Sequence, residues 1–493
     1  MERVKNYLSL DVGSTCCKAQ VFDESGEILF YRTLECPLKS AGGYRYADIG
    51  RITDTVKSLV REAAGAAKID SLAFSSFGES FVLLDKGNRI LADPMLYTDE
   101  RGSEQAERVL NLFGKEKIYS KTGVMPHAMY SVYKLLWIME HEPERYAAAE
   151  KLLLIGDYFG YLLTGKRAID YSLASRTGAF NVWEKRFDRE LLEGLHIPLS
   201  LFSDPMPAGS AVGRVTPEAA EEFGLPCDCV LVLGSHDQIC TALGAGVTAE
   251  GQAVDGMGTV ECITAVFKEK SVAAAAGEAG FPVVPFAAEG LYCTYICNYA
   301  SGSIVKWFKD GILHGYRGEE KDAFAYLEKG FTDSPTGLYT LPYFAGSAIP
   351  YQDDTAKGAL IGLTTSTTDS RIYQSVMEGQ AMEMKFETQI AKRYGVRIRS
   401  AVATGGGANS EKWLQIKADI QGIPYATLRS SEGGLCGCAV LQAVAVGGRS
   451  LQEAVDTFVK KKKFFLPDEA RAAAYAPYYK KYKKIYRAIK EFF

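Results

Sequence analysis

One short pattern occurs twice in the chain and constrains its fold more than any other feature. Asp11-Val12-Gly13-Ser14-Thr15 lies between the apolar runs Tyr7–Leu10 and Cys17–Phe22, and Asp255-Gly256-Met257-Gly258-Thr259 precedes the apolar run Ile263–Phe267. Each copy reads as a strand, a glycine-bearing hairpin turn and a second strand. An acidic residue enters each turn and a threonine leaves it. Two such copies, the second near the middle of the chain, fit a duplicated architecture.

After the first copy, Asp23–Glu27 makes a second turn and Ile28–Tyr31 a third strand, so the chain opens with a β meander. Apolar residues of Ile52–Ala66 recur at spacings of three and four, which predicts a helix. Strands are predicted at Ser71–Ser75, Phe81–Leu84 and Val230–Leu233; a loop at Gly234–His236 and a small-residue helix to Leu243 follow the last. A third glycine-rich segment, Val402–Ser410, separates a strand (Ser400–Ala403) from a helix (Glu411–Ile420), and the Lys/Tyr-rich tail Tyr475–Phe493 is helical in pattern. Alternating strands and helices predict an α/β class. With 493 residues, two or three domains are expected. Glycines and polar residues cluster at Val247–Val254, which predicts a boundary dividing the chain into residues 1–247 and 248–493.

A glycine-bearing turn lets backbone N–H groups approach phosphate oxygens with no Cβ in the way. Ser14 and Thr15 add hydroxyl donors. Asp11 repels phosphate, so it makes sense there only with a cation between them, as Mg²⁺ stands in phosphoryl transfer. The plainer alternative is a simple hairpin, because Asp, Gly and Ser are what turns prefer. Gly405-Gly406-Gly407 before a helix likewise suits either a nucleotide's anionic groups or a tight strand-to-helix connection.

The bulk numbers narrow the classes. A net charge of −4 offers no basic face for nucleic acid. The one basic run, Lys460–Lys463, reads as a solvated helix end. Eleven cysteines, some as close as Cys16-Cys17, Cys227-x-Cys229 and Cys436-x-Cys438, read as reduced thiols in a reducing compartment. No signal-peptide-like stretch opens the chain, and the apolar run Leu435–Gly447 is too short for a bilayer. A cytoplasmic protein without membrane partners is expected.

Several segments together resemble the FGGY family of carbohydrate kinases. Asp11–Thr15 with Lys18 is similar to the family's first phosphate motif, Met129–His141 to its first signature, and Gly234-Ser235-His236-Asp237-Gln238 with Ala242–Gly246 to its catalytic loop. Gly258-Thr259 resembles the second phosphate motif, Gly358–Leu363 continuing to Met377-Glu378-Gly379 the second signature, and Thr404–Ser410 with Trp413-Leu414-Gln415 the adenosine-side motif; Glu432-Gly433-Gly434 belongs to the same pattern. Arg371 departs from the second signature, which has an acid or amide there.

The resemblance implies two ribonuclease-H-like, actin-like ATPase domains with a central cleft: 1–247 binding sugar and 248–493, with the helical tail, binding nucleotide. It implies ATP and Mg²⁺ as cofactors, with Asp11 holding the metal through water. Gly13, Ser14, Thr15, Lys18, Gly258, Thr259, Gly302, Gly405, Gly406, Gly407 and Asn409 are then expected on ATP. Glu79, Ser80, Phe81, Tyr97, Asp99 and Gln238 are expected on the acceptor, and Asp237 becomes the catalytic base. Read without the family, Asp237 is first a helix N-cap, and Phe81 and Tyr97 suit core packing as well as pocket walls. The expected reaction is ATP-dependent phosphorylation of a ketose such as xylulose, fuculose or rhamnulose, or of a polyol such as glycerol, a tetritol or a pentitol. The partners are that sugar or polyol and ATP/ADP, with a homodimer left open. The rival class is a non-catalytic, actin- or chaperone-like ATPase switch.

Overall fold

The computed structural model describes residues 4–268, 279–313, 319, 323–430 and 432–493. They form two compact units. One comprises the residues up to Thr248 with Pro282–Tyr292 and Glu432–Lys460; the other comprises Ala249–Phe281, Cys293–Ser431 and Lys461–Phe493. The units therefore interleave in sequence, where the expected division at 247/248 left everything after it in one domain.

In the first unit the leading strands are β1 (Asn6–Val12), β2 (Cys16–Asp23), β3 (Ile28–Glu35), β4 (Ser71–Ser76), β5 (Ala211–Arg214) and β6 (Val230–Val232). They lie in the order β3-β2-β1-β4-β6-β5. β1 pairs antiparallel with β2 and parallel with β4. β6 is parallel to β4 and antiparallel to β5. A central strand covered on both faces needs near-continuous apolar sequence, and β1 is almost wholly buried; β3, at the edge, is mostly exposed. The helix Ile49–Ala66 covers this sheet. Asp48 caps it by accepting the Arg51 N–H at 3.0 Å, and Ile49, Ile52, Val56, Leu59, Val60 and Ala63 form its buried stripe.

The second unit repeats this plan. Its strands β7 (Gln252–Met257), β8 (Glu261–Phe267), β9 (Tyr292–Asn298), β10 (Ser400–Thr404), β11 (Tyr425–Leu428) and β12 (Lys461–Phe465) lie in the order β9-β8-β7-β10-β11-β12. The pairings match those above: β7 is antiparallel to β8 and parallel to β10, and β11 is parallel to β10 and antiparallel to β12. The repeated turn motif thus marks a repeated sheet.

β12 corrects one expectation. Lys461–Lys463 belong to an exposed strand at the sheet's edge and not to a helix end, a place where lysines discourage pairing with other chains. The tail does form helices, Glu469–Tyr482 and Ile485–Ile489, with tyrosines inward. Tyr475 donates to Glu378 at 3.0 Å and Tyr482 to Glu383 at 2.6 Å. Arg371, the odd residue of the second signature, fastens a loop by donating to the Thr332 hydroxyl and the Thr336 carbonyl.

Glu432–Lys460 joins the first unit through glycine. The helix Gly433–Ala445 meets the helix Asp237–Gly244 backbone to backbone. A Cβ on Gly437 would lie 2.0 Å from the Cys240 carbonyl oxygen, and one on Gly244 would lie 1.9 Å from that of Gly433. Gly437→Ala gains about 1 kcal/mol of helix propensity. It must also force two backbones apart, and overpacking typically costs about 1–3 kcal/mol. A net loss of stability is expected, visible as a lower urea midpoint with an unchanged slope.

Asp157 is buried near the start of the helix Ile155–Thr164 and accepts the Ser203 hydroxyl at 2.6 Å. Burial pushes its carboxyl up to about 8. Between pH 4 and 8 the folded chain keeps a proton that the unfolded chain has released. Its contribution is therefore fully present below pH 4 and fades as pH rises, by up to about 1.4 kcal/mol per unit. Asp157→Asn should abolish that slope, so unfolding midpoints of the two proteins should diverge in the variant's favour from pH 5 to 8.

Candidate active site

Two clusters carry chemistry, one in each unit. In the first unit, the β1–β2 turn closes with the Gly13 N–H donating to the Cys16 carbonyl at 2.9 Å. A Cβ on Gly13 would lie 2.8 Å from that oxygen, so the tight turn requires glycine. Ser14 and Thr15 sit in the turn, half-buried and exposed respectively. Lys18 does not stand free at the turn: it pairs with Glu432 at 2.7 Å, and Tyr31 donates to the same carboxylate.

Asp11 ends this strand. Ser75 donates to its Oδ1 at 2.7 Å. Among the described residues no lysine or arginine forms an ion pair with it, and burial raises its carboxyl above the usual range despite Ser75 and Lys18. Its counterpart in the repeat, Asp255, is treated differently. Lys417, fully buried, pairs with Asp255 at 2.7 Å and also with Glu261, while Tyr425 donates to Asp255 at 3.2 Å. One acid of the repeat is paired with a buried lysine; the other, among the described residues, has no such pair.

Asp237 opens the helix Asp237–Gly244. His236 occupies the cap position, and Asp237 Oδ1 receives the N–H of its neighbour Gln238 at 2.6 Å. The N-cap reading is thus corrected, because a cap accepts from two or three residues onward. The side chain keeps 40% of its surface accessible. Burial, then the charges of Asp11 and Glu79, push Asp237 up to about 7, against the pull of the Gln238 N–H and Arg176. His236 Nε2 lies 3.2 Å from Asp237 Oδ1. Burial and the Arg176 charge hold that imidazole well below its usual range, hence neutral.

Glu79 is buried and pairs with Arg176, whose Nε donates to Oε1 at 2.6 Å. Arg176 was not foreseen; it lies 97 residues from its partner, with no local pattern to announce it. Its guanidinium sits over the Tyr130 ring. The other expected acceptor contacts divide. Ser80 donates its hydroxyl to the Met95 carbonyl at 2.6 Å, and Phe81 is buried in the hydrophobic core with Leu154 and Val132. Asp99 binds Arg101 with both oxygens, and that guanidinium lies against Tyr44, Tyr46 and Trp137. These three side chains thus all have partners within the protein. Tyr97 is 52% exposed, and Gln238 is half-buried beside Asp237.

In the second unit a cavity of about 950 Å³ is lined by Gly258, Thr259, Gly302, Gly406, Gly407 and Asn409 together with Trp307, Phe324, Tyr373 and Trp413. The Gly302 N–H donates to the Gly258 carbonyl at 2.9 Å, and a Cβ on Gly302 would lie 2.5 Å from that oxygen. Backbone and flat rings therefore form the walls, which suits a nucleotide's phosphates and base. Ser410 caps the following helix, Glu411–Gln421. Gly405 is the exception: it lines a neighbouring cavity of about 290 Å³ with Arg429 and Lys462.

Family models settle the class. The N-terminal domain of the FGGY family of carbohydrate kinases matches residues 6–244, and the C-terminal domain of that family matches residues 256–446. The chain belongs to the FGGY family. This FGGY kinase is a phosphotransferase, which sets aside the non-catalytic switch. It is 26% identical over 504 residues to a xylulose kinase of Bacillus subtilis (strain 168), covering 99% of this chain and 98% of the relative. It is 27% identical over 474 residues to a glycerol kinase of Pseudothermotoga lettingae, covering 90% of each. The solved xylulose kinase from Rhodospirillum rubrum has the same fold, with a TM-score of 0.89, 24% identity and 99% of each chain covered. So does a glycerol kinase from Plasmodium falciparum with ADP, at TM-score 0.87 and 20% identity, covering 99% of this chain and 98% of that one. Among the described residues no helix is long and apolar enough to cross a membrane.

Proposed function

We propose that this kinase transfers the γ-phosphoryl group of ATP to a hydroxyl of a small, uncharged ketose, with Asp237 as general base and Glu79 accepting acceptor hydroxyls. The observation that carries the reading is the placement of Asp237. It opens a helix, keeps access to solvent, and sits among carboxylates that leave it changing charge near neutrality. Such a base takes the acceptor's proton late, as phosphoryl transfer proceeds through a loose transition state governed by positioning.

The glycine-walled cavity of the second unit suits the nucleotide, with Thr259 and Asn409 as polar contacts. The tight glycine turn of Gly13, Ser14 and Thr15 in the first unit suits phosphate by its own backbone geometry. Asp11 fits a Mg²⁺ ligand acting through water, because it ends the strand that leads into the glycine turn and, among the described residues, forms no ion pair with a lysine or arginine. When bound, the ion would neutralise phosphate charge. Lys18 steadies Glu432 and thereby the start of the helix beside Asp11.

A polyol is the second reading, since a carboxylate such as Glu79 can accept two hydroxyls. An assay of ADP release over ketopentoses, deoxyketohexoses, glycerol, tetritols and pentitols tests both. Acceptor-dependent release with one of these classes is expected, and release indifferent to every acceptor would overturn the proposal. Glu79→Gln should raise the acceptor KM by about tenfold or more, the worth of a charge-assisted hydrogen bond, with the ATP KM unchanged.

A further inference from the structure

Glu79 holds a backbone conformation that side-chain-bearing residues avoid, with φ +62°. Such strain persists only where surroundings enforce it. Ser131 donates its hydroxyl to the Glu79 carbonyl at 2.6 Å, and the Ser80 N–H turns back to the Gly78 carbonyl at 2.6 Å. Arg176 then grips the side chain, with Nε and Nη2 both donating to Oε1.

Arg176 reaches Glu79 only because residue 78 is glycine. A Cβ there would lie 2.9 Å from Arg176 Cγ and 3.0 Å from His236 Cδ2. The Tyr130 ring, 5.1 Å away, backs the guanidinium. The pair is buried, so both its geometry and its charge act at low dielectric. Asp11, Glu79, His236 and Arg176 are the titratable groups that act on Asp237.

We propose that Arg176 is a positioning residue: by holding one oxygen of Glu79 across Gly78, it presents the other to an acceptor hydroxyl and offsets the negative charge gathered around Asp237. The proposal rests on the roles given above to Glu79 and Asp237. It deepens them by making the acceptor site depend on a forked cation that touches no substrate. Without Arg176, Asp237 would face Asp11 and Glu79 with no cation, and would deprotonate at higher pH.

Three variants of the full chain test this: Arg176→Gln, Arg176→Lys and Gly78→Ala. ATP binding, followed by tryptophan fluorescence, confirms folding. Arg176→Gln should raise the acceptor KM by about tenfold with ATP affinity retained. It should also move the acidic limb of kcat/KM to higher pH. Arg176→Lys should restore the limb but not KM, because it returns charge without the fork. Gly78→Ala, which crowds Arg176, should show the acceptor defect.

An unchanged acceptor KM in both Arg176→Gln and Gly78→Ala, or an unmoved limb in Arg176→Gln, overturns the proposal. Loss confined to carboxylate-bearing sugars also overturns it, by making the guanidinium itself a substrate contact. Should Arg176→Gln fold poorly, the pair Glu79→Gln/Arg176→Gln leaves no buried charge unmatched. If Arg176 acts through Glu79, this double variant has the acceptor KM of Glu79→Gln alone; an additive defect counts against it. Asp237→Asn, measured in parallel, separates the two readings: turnover retained there defeats the base assignment, and leaves the KM arms to decide the role of Arg176.

Discussion

Asp237→Asn is expected to lower kcat by about 10²- to 10⁴-fold, the usual worth of a general base, while nucleotide binding persists. Asparagine fills the same volume and its side-chain oxygen can still accept the Gln238 N–H, so the helix start should survive. What it loses is the capacity to take a proton. The pH profile makes the test sharper. A carboxyl pushed up to about 7 is the active, charged base only above that value. The wild-type rate should therefore fall about tenfold per unit as pH drops below 7, and the residual rate of the variant should lack this limb. Turnover within about tenfold of wild type, with the limb intact, would assign the base elsewhere.

The second large effect concerns stability. Lys417 is fully buried between Asp255 and Glu261, with Tyr425 donating to the first acid and Ser301 to the second at 3.0 Å. Lys417→Met keeps the bulk and removes the charge. Two carboxylates then face each other without a cation, and breaking a buried pair in this way costs about 3–5 kcal/mol. The loss should be reversed largely by adding Asp255→Asn and Glu261→Gln, because neutral groups need no counter-ion. Asp255 and Glu261 flank the turn Gly258-Thr259, and Ser301 precedes Gly302. ATP affinity should therefore fall along with the urea midpoint. A single variant as stable as wild type would show that the triad contributes nothing net.

Local pattern carried much of this architecture into the sequence. The doubled turn motif announced a doubled sheet, and the helix Ile49–Ala66 and strand Ser400–Thr404 lie within a few residues of where periodicity put them. Glycines were legible because a side chain would collide at such places, with the Gly258 carbonyl at Gly302 and with the Met257 and Trp413 side chains at Gly407. Other features depend on partners far along the chain. Asp11 and Asp255 look alike as text, and only the arrival of Lys417, 162 residues on, makes them different. Arg176 is equally silent, as is the left-handed backbone of Glu79. The protein partners of Phe81 and Asp99 were hidden for the same reason: which side chains meet an aromatic or an acid is decided by packing between distant segments. The lysine run misled because an exposed edge strand and a frayed helix end tolerate the same charges.

The glycine-mediated docking of Gly433–Ala445 has a consequence for biosynthesis. The helix that carries Asp237 leans on a segment the ribosome makes only after most of the other unit has emerged. Until then the earlier-made half lacks part of its own interior, exposing Cys240 and Leu243, among others, to solvent or to chaperones. A nascent chain halted at the end of the first family domain should be protease-sensitive, and a separately supplied 432–460 peptide should be needed to protect it.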